Sequence, residues 1–349
     1  MTPRTLIILI SALVIFSLLA ILGQQEQQPE NAGAVVFLPT LQDSLNEINR
    51  MELVGAGGEI IATLNRGVEG WSIMERDNYP ADSQKIRHTL LSLAEAKIME
   101  VKTSNPEWHD RLGVEAIENS NAGGISVSLV GADMPVNIIL GNTVGNNQAY
   151  IRQVDESQSY LIDQDPEVSG SVTDWLNTEI LAIARERIQQ ITVTHPDGEV
   201  LTVFKEDTEQ ANFTVDNMPA DRELQYDSVA NVIGNVLSSL TLQDVELRTD
   251  DDTPLTITEF RTFDGLVITA ESIEREENAW IAFRASYESS SQLTGEESPS
   301  TQEITLNVET EARELDQRLG NWRYHIAAYQ AEQMSRRMSD LLSPLPDGA

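Results

Sequence analysis

The chain has 349 residues, with 23 Lys and Arg against 56 Asp and Glu, a formal net charge of −33 and no cysteine. Nucleic acids and anionic lipid headgroups are bound by basic patches, so this charge argues against both as ligands. The absence of cysteine excludes disulfides, thiol nucleophiles, cysteine-ligated metals and the acylated cysteine of a lipoprotein anchor. We interpret the acidic residues as a solvated surface. A role in binding divalent cations stays open, because no motif localises one.

The first element in chain order is an apolar run over residues 6–22, which carries no charge. As a helix it would measure ~25 Å, near the lower limit for a bilayer core. A cleaved signal peptide and a retained anchor both fit this run. Its length and the bulky Ile21, two positions before Gly23, make a poor cleavage site and favour an uncleaved transmembrane anchor over residues 1–23.

The charges beside this run set its predicted orientation. Arg4 precedes the run, and residues 24–30 contain no basic residue. The positive-inside tendency therefore places the N-terminus in the cytoplasm and the bulk of the chain outside the inner membrane, in the periplasm. Residues 24–40 are interpreted as a spacer that leads away from the bilayer.

The stretch that follows the spacer is repeated later in the chain at a constant offset of 140 residues. The matching pairs are Leu41 and Leu181, Ile48 and Ile188, Met51 and Ile191, Leu53 and Val193, Gly58 and Gly198, Glu59 and Glu199, Ile60 and Val200, and Ile61 and Leu201. Slightly out of this register, Trp71 corresponds to Phe213, and Pro80-Ala81-Asp82 recurs as Pro219-Ala220-Asp221. A long-period echo of this kind predicts a duplicated structural unit. We place the first repeat at residues 41–170, the second at 171–327, and a C-terminal helix and tail at 328–349.

Each repeat is predicted to contain three strands, a helix, a fourth strand and an antiparallel meander. The first-repeat strands are expected at 51–54, 59–64, 71–74, 98–101, 125–130, 136–140, 149–154 and 159–162. The second-repeat strands are expected at 191–194, 200–204, 213–215, 245–247, 255–260, 266–270 and 280–285. The fold class is therefore α+β, an N-terminal transmembrane helix followed by two tandem antiparallel sheets that each pack with a helix.

Two helices are predicted at matching places in the repeats. Asp82 is expected to cap the first, although a catalytic carboxylate is the alternative interpretation, and Asp227 is expected to cap the second. The first helix should bury Ile86, Leu90, Leu91, Leu93 and Ala94. The second has the stronger helical spacing of apolar residues, at Val229, Val232, Ile233, Val236, Leu237 and Leu240.

The remaining segments are predicted from local pattern. Residues 174–188 should form a helix that joins the repeats, and 287–303 should form a mobile loop. Residues 304–308 and 324–326 have strand character, and 329–342 should form the final helix.

The search for reactive groups assigns no catalytic, cofactor-binding or metal-ligating residue and no cofactor. His88, His109, His195 and His325 lie apart in sequence and match no metal-ligand spacing. The Gly-rich turn Gly55–Gly58 lacks the Lys-Ser/Thr and the helix of a phosphate loop. The run Asp250-Asp251-Asp252 lacks the spacing, glycine and terminal Glu of a calcium loop. These absences favour a role that is not enzymatic.

Several short motifs, in order and spacing, carry a resemblance to a known family. They are Phe37-Leu38-Pro39, Trp71, Tyr79-Pro80-Ala81-Asp82, Asn105-Pro106, Leu112-Gly113-Val114, Leu140-Gly141, Tyr150-Ile151-Arg152, Trp322-Arg323-Tyr324-His325-Ile326 with Tyr329, and residues 338–342. With this set the chain resembles the bacterial family called domain of unknown function 4340. The resemblance implies a single-pass envelope protein, often encoded beside ABC-type transport components similar to those of gliding-motility systems, and it supplies no catalytic residues.

Three hypotheses about function follow. The first is a membrane-anchored extracytoplasmic accessory subunit, attached to the bilayer through residues 6–22, that contacts an ABC-type permease or its auxiliary envelope protein. The second is a module that binds an envelope glycan or peptide in a groove between the repeats, lined by exposed aromatic residues such as Trp108, Trp280 or Trp322. The third is a hydrolase that uses paired carboxylates.

Overall fold

The computed structural model describes residues 35–131, 135–145, 147–249, 253–275, 278–288 and 299–344. The predicted anchor at 1–23, most of the spacer and the run Asp250-Asp251-Asp252 lie outside these residues. Among the helices of the described residues, none combines the length and the apolar character needed to cross a membrane.

Eighteen strands and six helices build the described chain. The first-half strands are β1 (Arg50–Val54), β2 (Ile60–Gly67), β3 (Gly70–Ile73), β4 (Tyr79–Pro80), β5 (Ile98–Val101), β6 (Ile125–Val130), β7 (Val136–Val144), β8 (Gln148–Gln153) and β9 (Ser159–Ile162). The second-half strands are β10 (Glu179–Leu181), β11 (Ile188–Thr194), β12 (Val200–Phe204), β13 (Thr214–Val215), β14 (Leu240–Leu247), β15 (Thr256–Thr262), β16 (Leu266–Arg275), β17 (Asn278–Tyr287) and β18 (Trp322–Ile326). The helices are α1 (Pro39–Ser44), α2 (Ser83–Glu95), α3 (Asn231–Asn235), α4 (Pro299–Leu319), α5 (Ala328–Met334) and α6 (Met338–Leu341).

The strands form two nine-stranded antiparallel sheets, which confirms the mixed α+β class. The first sheet has the order β4-β3-β2-β1-β6-β7-β8-β9-β5, and the second, read from its far end, has the order β13-β12-β11-β15-β16-β17-β18-β14-β10. When β3 is set against β13 and β5 against β14, eight strands of each sheet fall in the same order. Two sheets with this shared order are consistent with the predicted repeat.

By density of contacts, the described residues separate into two compact units. Unit 1 contains residues 35–48, 54–59 and 88–168. Unit 2 contains residues 49–53, 60–87 and 169–344, so strands β2 to β4 of the first repeat belong to the same unit as the second sheet. The predicted domain limits at 41–170, 171–327 and 328–349 stay predictions.

The first predicted helix and its cap are confirmed in α2. One carboxylate oxygen of Asp82 accepts hydrogen bonds from the backbone N–H groups of Gln84 and Lys85, at 2.9 and 3.0 Å. This is the arrangement of an N-cap, which satisfies donors that a helix start leaves unpaired. The predicted buried face is confirmed except at Leu91, whose side chain is exposed.

The second predicted helix is much shorter than its apolar spacing suggested. Only α3 is α-helical, a 3₁₀ turn follows over Val236–Ser239, and Leu240 already belongs to β14. The prediction that Asp227 caps this helix is wrong, because α3 is preceded by Ala230 without a side-chain cap. Two β-branched residues, Val232 and Ile233, and Gly234 within α3 lower the helix propensity of this stretch.

The segment between the repeats is not the predicted helix. It contains 3₁₀ turns at Val172–Trp175 and Arg185–Arg187 and the strand β10. Ile180 and Leu181 are buried in β10, which pairs with β14, so sheet hydrogen bonds replace those that a helix would have made.

The predicted strand at 304–308 is wrong, because these residues lie in α4. Alternating Ile304, Leu306 and Val308 imitate a strand. The buried residues Val308, Ala312 and Leu319 instead follow helical spacing and place one face of α4 inward. The predicted mobile loop at 287–303 is also wrong at both ends, which belong to β17 and α4, while 289–298 lie outside the described residues.

The predicted C-terminal helix is divided into α5 and α6. The Thr258 hydroxyl donates to the Met334 carbonyl oxygen, and His195 Nε2 lies 3.2 Å from the Arg336 carbonyl oxygen. These side chains take the carbonyls that a continuous helix would have used internally.

Candidate functional site

The main difference between the connections of the two repeats is a long segment of unit 1 that follows β5. Residues 102–124, called the motif loop below, connect β5 to β6, whereas residues 248–255 alone connect β14 to β15 in the second repeat. The motif loop contains Asn105-Pro106 and Leu112-Gly113-Val114, two of the motifs of the sequence analysis. The structure therefore places these motifs at one location.

A short 3₁₀ turn, Pro106–Trp108, lies near the start of the motif loop. The Asn105 side-chain oxygen accepts a hydrogen bond from the Glu107 N–H at 3.2 Å and so caps this turn. His109 follows and is buried, and its Nε2 donates to the carbonyl oxygen of Ser157 at 2.9 Å. The imidazole therefore holds the backbone of the next hairpin and is not available to a substrate.

Glycines allow the motif loop to lie directly on β6 and β7. A Cβ atom at Gly124 would come within 2.1 Å of the Gly113 carbonyl oxygen, and one at Gly141 within 2.2 Å of the Leu112 carbonyl oxygen. Gly113 itself has a φ of 70° and lies where a Cβ would meet Asn142. Only residues without a side chain permit such a close approach between backbones.

The buried guanidinium of Arg152 fastens the other side of the motif loop. Its Nε donates to the Val114 carbonyl oxygen at 2.7 Å. Its Nη1 lies 3.1, 3.0 and 2.8 Å from the carbonyl oxygens of Gln153, Val154 and Glu156. Burial lowers the pKa of Arg152, and the negative charges of Glu118 and Glu115 oppose that shift. A guanidinium nevertheless stays protonated, so one Nε–H and two Nη1–H groups of a charged donor are shared among four backbone acceptors.

The motif loop presents an aromatic side chain to solvent. Trp108 is 52% exposed, and the guanidinium carbon of Arg111 lies 5.7 Å from the centre of its ring. Met99 and Val101 of the preceding strand β5 are exposed as well. Because His109 and Arg152 fix the backbone beneath, Trp108 stands on a rigid support.

The four histidines, none of which was predicted to be a ligand, do not converge. His88 is exposed, and its Nε2 lies 3.9 Å from a carboxylate oxygen of Glu167. His195 is buried in the second repeat, and the His325 ring lies 5.5 Å from that of Trp280. Across the part of the chain that the structure describes, no three His, Asp or Glu side chains are grouped to hold a metal ion.

Two of the three predicted aromatic ligand contacts are packing residues. Trp280 is only 9% exposed and belongs to a core cluster with Ile273 and Ala282. The ring of Trp322 is partly buried and meets that of Tyr79 edge to face, with 5.0 Å between centroids. Trp108 alone of the three is predominantly exposed.

Gly113, Gly141 and Arg152 were named from the sequence only as parts of family motifs, and their structural roles were not found. The role of Arg152 depends on its bond to the Val114 carbonyl oxygen, and no local pattern connects these two positions. A usable signal was Gly141 inside the predicted strand pattern, since a glycine within a strand marks the close approach of another backbone.

The described residues thus define a protein of two related antiparallel sheets whose distinctive feature is a rigid, glycine-dependent loop. The family model described as Domain of unknown function (DUF4340) matches residues 71–259, which include the motif loop. The match covers more than half of the chain, and the protein belongs to this family. No curated protein and no solved structure matches the chain.

Proposed function

We propose that the protein is a membrane-anchored, extracytoplasmic accessory subunit of an ABC-type export or gliding-type transport system, and that it acts by protein–protein contact and not by catalysis. The anchor is proposed from the apolar run at residues 6–22. The transport partner is proposed from the family resemblance of the sequence motifs.

The motif loop is the observation that carries the contact role. The buried polar groups that hold it in place, His109 of the loop and Arg152 of β8, are occupied with backbone carbonyls. Its exposed groups are an indole and a neighbouring guanidinium, at Trp108 and Arg111. Tryptophan and arginine are the residue types that most often dominate the energy of protein interfaces. A pre-fixed backbone lowers the entropy lost when such an interface forms.

Co-purification of the full-length protein from its own membranes tests this function. We expect a permease or ATPase subunit to be recovered with the tagged protein in mild detergent. Replacement of Trp108 by alanine should reduce that recovery by about tenfold, in line with loss of an interface hot spot. The matched control is Tyr329→Ala, because Tyr329 is an aromatic residue of unit 2 that is 65% exposed.

Recovery of the wild-type protein without any transport subunit would overturn the proposed function. Equal losses in Trp108→Ala and Tyr329→Ala would remove the motif loop as the contact surface. Thermal unfolding of both variants should match the wild type, because neither exposed ring contributes to a core.

A glycan- or peptide-binding module is the second candidate, and the exposed Trp108 favours it. Sugar rings stack on exposed indoles, so soluble envelope glycan fragments should quench the fluorescence of Trp108 under this alternative. The burial of Trp280 removes one of the aromatic groups on which this candidate depended.

A further inference from the structure

In the first sheet, the outer side of strand β3 is paired with one further strand, β4. β4 pairs with β3, with Ser72 opposite Pro80 and Ile73 opposite Tyr79. The Ala81 N–H continues this ladder and donates to the Trp71 carbonyl oxygen at 2.8 Å. The first sheet therefore shows an extended segment added antiparallel at this position.

The equivalent strand β13 of the second sheet lacks such a cover. It pairs with β12, with Val203 opposite Val215 and Phe204 opposite Thr214, and no other described strand pairs with it. The Asp216 N–H donates to the Thr202 carbonyl oxygen at 2.9 Å. Because hydrogen-bonding directions alternate along an antiparallel pair, the N–H and C=O of Val215 point away from β12.

An open groove of about 480 Å³ runs beside this edge. Its lining includes Phe213, Val215, Met218, Leu224 and Asp227. The Phe213 N–H, two residues before Val215 and therefore on the same outward side, is already held by the Asn231 side-chain oxygen at 3.1 Å, so the free part of this edge is at Val215. The groove thus offers apolar walls and an outward-facing backbone pair, the two components of strand addition.

The charged residues around the groove indicate which charge its occupant should carry. The exposed charged residues between positions 206 and 228 are all acidic: Glu206, Asp207, Glu209, Asp216, Asp221, Glu223 and Asp227. Arg222, the one base in this stretch, is partly buried and donates to the Ser343 carbonyl oxygen at 2.6 Å. An occupant with Lys or Arg side chains would complement this rim.

The chain itself is a poor source of that occupant. Two copies would each bring a formal charge of −33, which opposes their association through an acidic rim. The segments outside the described residues contain a single basic residue, Arg4, at the far N-terminus. The occupant that fits is therefore a segment of another protein.

We propose that β13 is an acceptor edge onto which an extended, lysine- or arginine-bearing segment of a partner protein adds as an antiparallel strand. This inference rests on the proposed function only in requiring a protein partner. It names a surface of unit 2 that is separate from the motif loop, so the two ideas can fail independently.

Peptide binding to the full-length protein in detergent tests the acceptor edge. The probe is a labelled nonapeptide of alternating Val and Lys, VKVKVKVKV. The control is VKPKVKPKV, which keeps the charge but loses ladder donors at its prolines. We expect the probe to slow amide hydrogen exchange over residues 212–217, and the control to bind at least tenfold more weakly. Equal binding of the two peptides would show simple charge attraction and overturn the proposal, as would protection of β5 in place of β13.

Two variants of the protein sharpen the test. Val215→Pro removes the outward N–H and should weaken probe binding at least tenfold. If this variant does not fold, Asp227→Lys reverses a charge on the groove wall without changing the backbone and should also weaken binding. Asp43→Lys, at an exposed acidic residue of unit 1, is the matched control and should bind like the wild type. Equal loss in Asp43→Lys and Asp227→Lys would overturn the proposal.

The result is separable from that of co-purification. If Trp108→Ala abolishes recovery of transport subunits while the probe never protects β13, the accessory function stands and the acceptor edge is rejected. If the probe protects β13 while the protein is recovered alone, the acceptor edge stands and the transport assignment is rejected.

Discussion

The two repeats share eight strands in one order but differ in what lies between and beside those strands. The first repeat has a long, capped helix and the motif loop, and its β3 edge is covered by β4. The second has a five-residue helix and a short connection after β14, and it has a long helix, α4, before its last strand. The comparison teaches that the two repeats share their strand order and differ in their connections, so functional differences are to be sought in the connections.

The largest expected effect tests whether the motif loop is a structural requirement of the first repeat. Arg152→Met keeps the volume of the side chain but leaves four carbonyls without a charged donor. We expect the free energy of unfolding to fall by about 3 to 5 kcal/mol, since each lost bond of this kind costs more than 1 kcal/mol. Urea unfolding measures the loss. Arg111→Met, at an exposed arginine of the same loop, should change stability by less than about 0.5 kcal/mol, and a comparable loss there would contradict this account.

The next effect concerns the glycine on which the motif loop lies. Gly124→Ala would place a methyl group against the carbonyl oxygens of Gly113 and Leu140, at 2.1 and 2.5 Å. Backbone atoms cannot move aside easily, so we expect a loss of about 2 to 3 kcal/mol in thermal unfolding. Gly123→Ala is the adjacent control, because a methyl group there meets nothing closer than 3.5 Å. Similar melting temperatures for the two variants would refute the close contact.

The pH dependence of stability tests whether Tyr79 of β4 is buried beside Tyr324 in unit 2. Burial raises the pKa of Tyr79 to about 12 and also raises the pKa of Tyr324, whose ring centre lies 6.3 Å away. In the unfolded chain a tyrosine hydroxyl ionises near pH 10. The contribution of Tyr79 to the free energy of unfolding is therefore constant below about pH 10 and falls as the pH rises toward 12. From Tyr79 alone we expect a loss of about 1.4 kcal/mol by pH 11.

Chemical denaturation at pH 8 and pH 11 measures this loss. Tyr79→Phe should retain more of its stability at pH 11 than the wild type does. Tyr329→Phe, at an exposed tyrosine, should behave like the wild type. The account fails if Tyr79→Phe and the wild type lose stability in parallel.

The smallest expected effect compares the two helix starts directly. Asp82→Ala removes the acceptor of two backbone N–H groups and should cost about 1 kcal/mol. Asp227→Ala, at the position expected from sequence to be equivalent, should be nearly neutral because α3 begins after Ala230. Equal costs at the two positions, measured by urea midpoints, would mean that the helices start alike.

The regular parts of the sheets could be predicted from the sequence because their signals are local. The limits of β6, β9 and β12 follow from apolar alternation and turn residues, and the cap at Asp82 follows from one proline and one carboxylate. The helix α4 was missed because Ile304, Leu306 and Val308 imitate a strand over a short window. The helical spacing appears only when Val308 is compared with Ala312 and Leu319.

The roles of the residues in the candidate site depend on contacts that no local sequence pattern encodes. Arg152 donates to the carbonyl oxygen of Val114, which is distant in the chain, so its role in holding the motif loop could be recognised only in the structure. The exposure of Trp108 and the burial of Trp280 were equally inaccessible, because indoles occur both in cores and on surfaces. Sequence located the motifs, whereas the structure separated those that hold the loop from those that face solvent.

The strand β4 and the stretch after the first repeat have a consequence for any attempt to separate the two repeats. The N–H of Asp82 donates to the Trp175 carbonyl oxygen, the N–H of Asn177 donates to the Pro80 carbonyl oxygen, and β10 follows immediately. The stretch 175–181 thus covers the outer edge of β4 and, through β10, the outer edge of β14, and uncovered strand edges are prone to aggregation. Removal of residues 171–327 would therefore leave the edge of β4 open, so the first repeat cannot be cut away from the second without exposing a sheet edge.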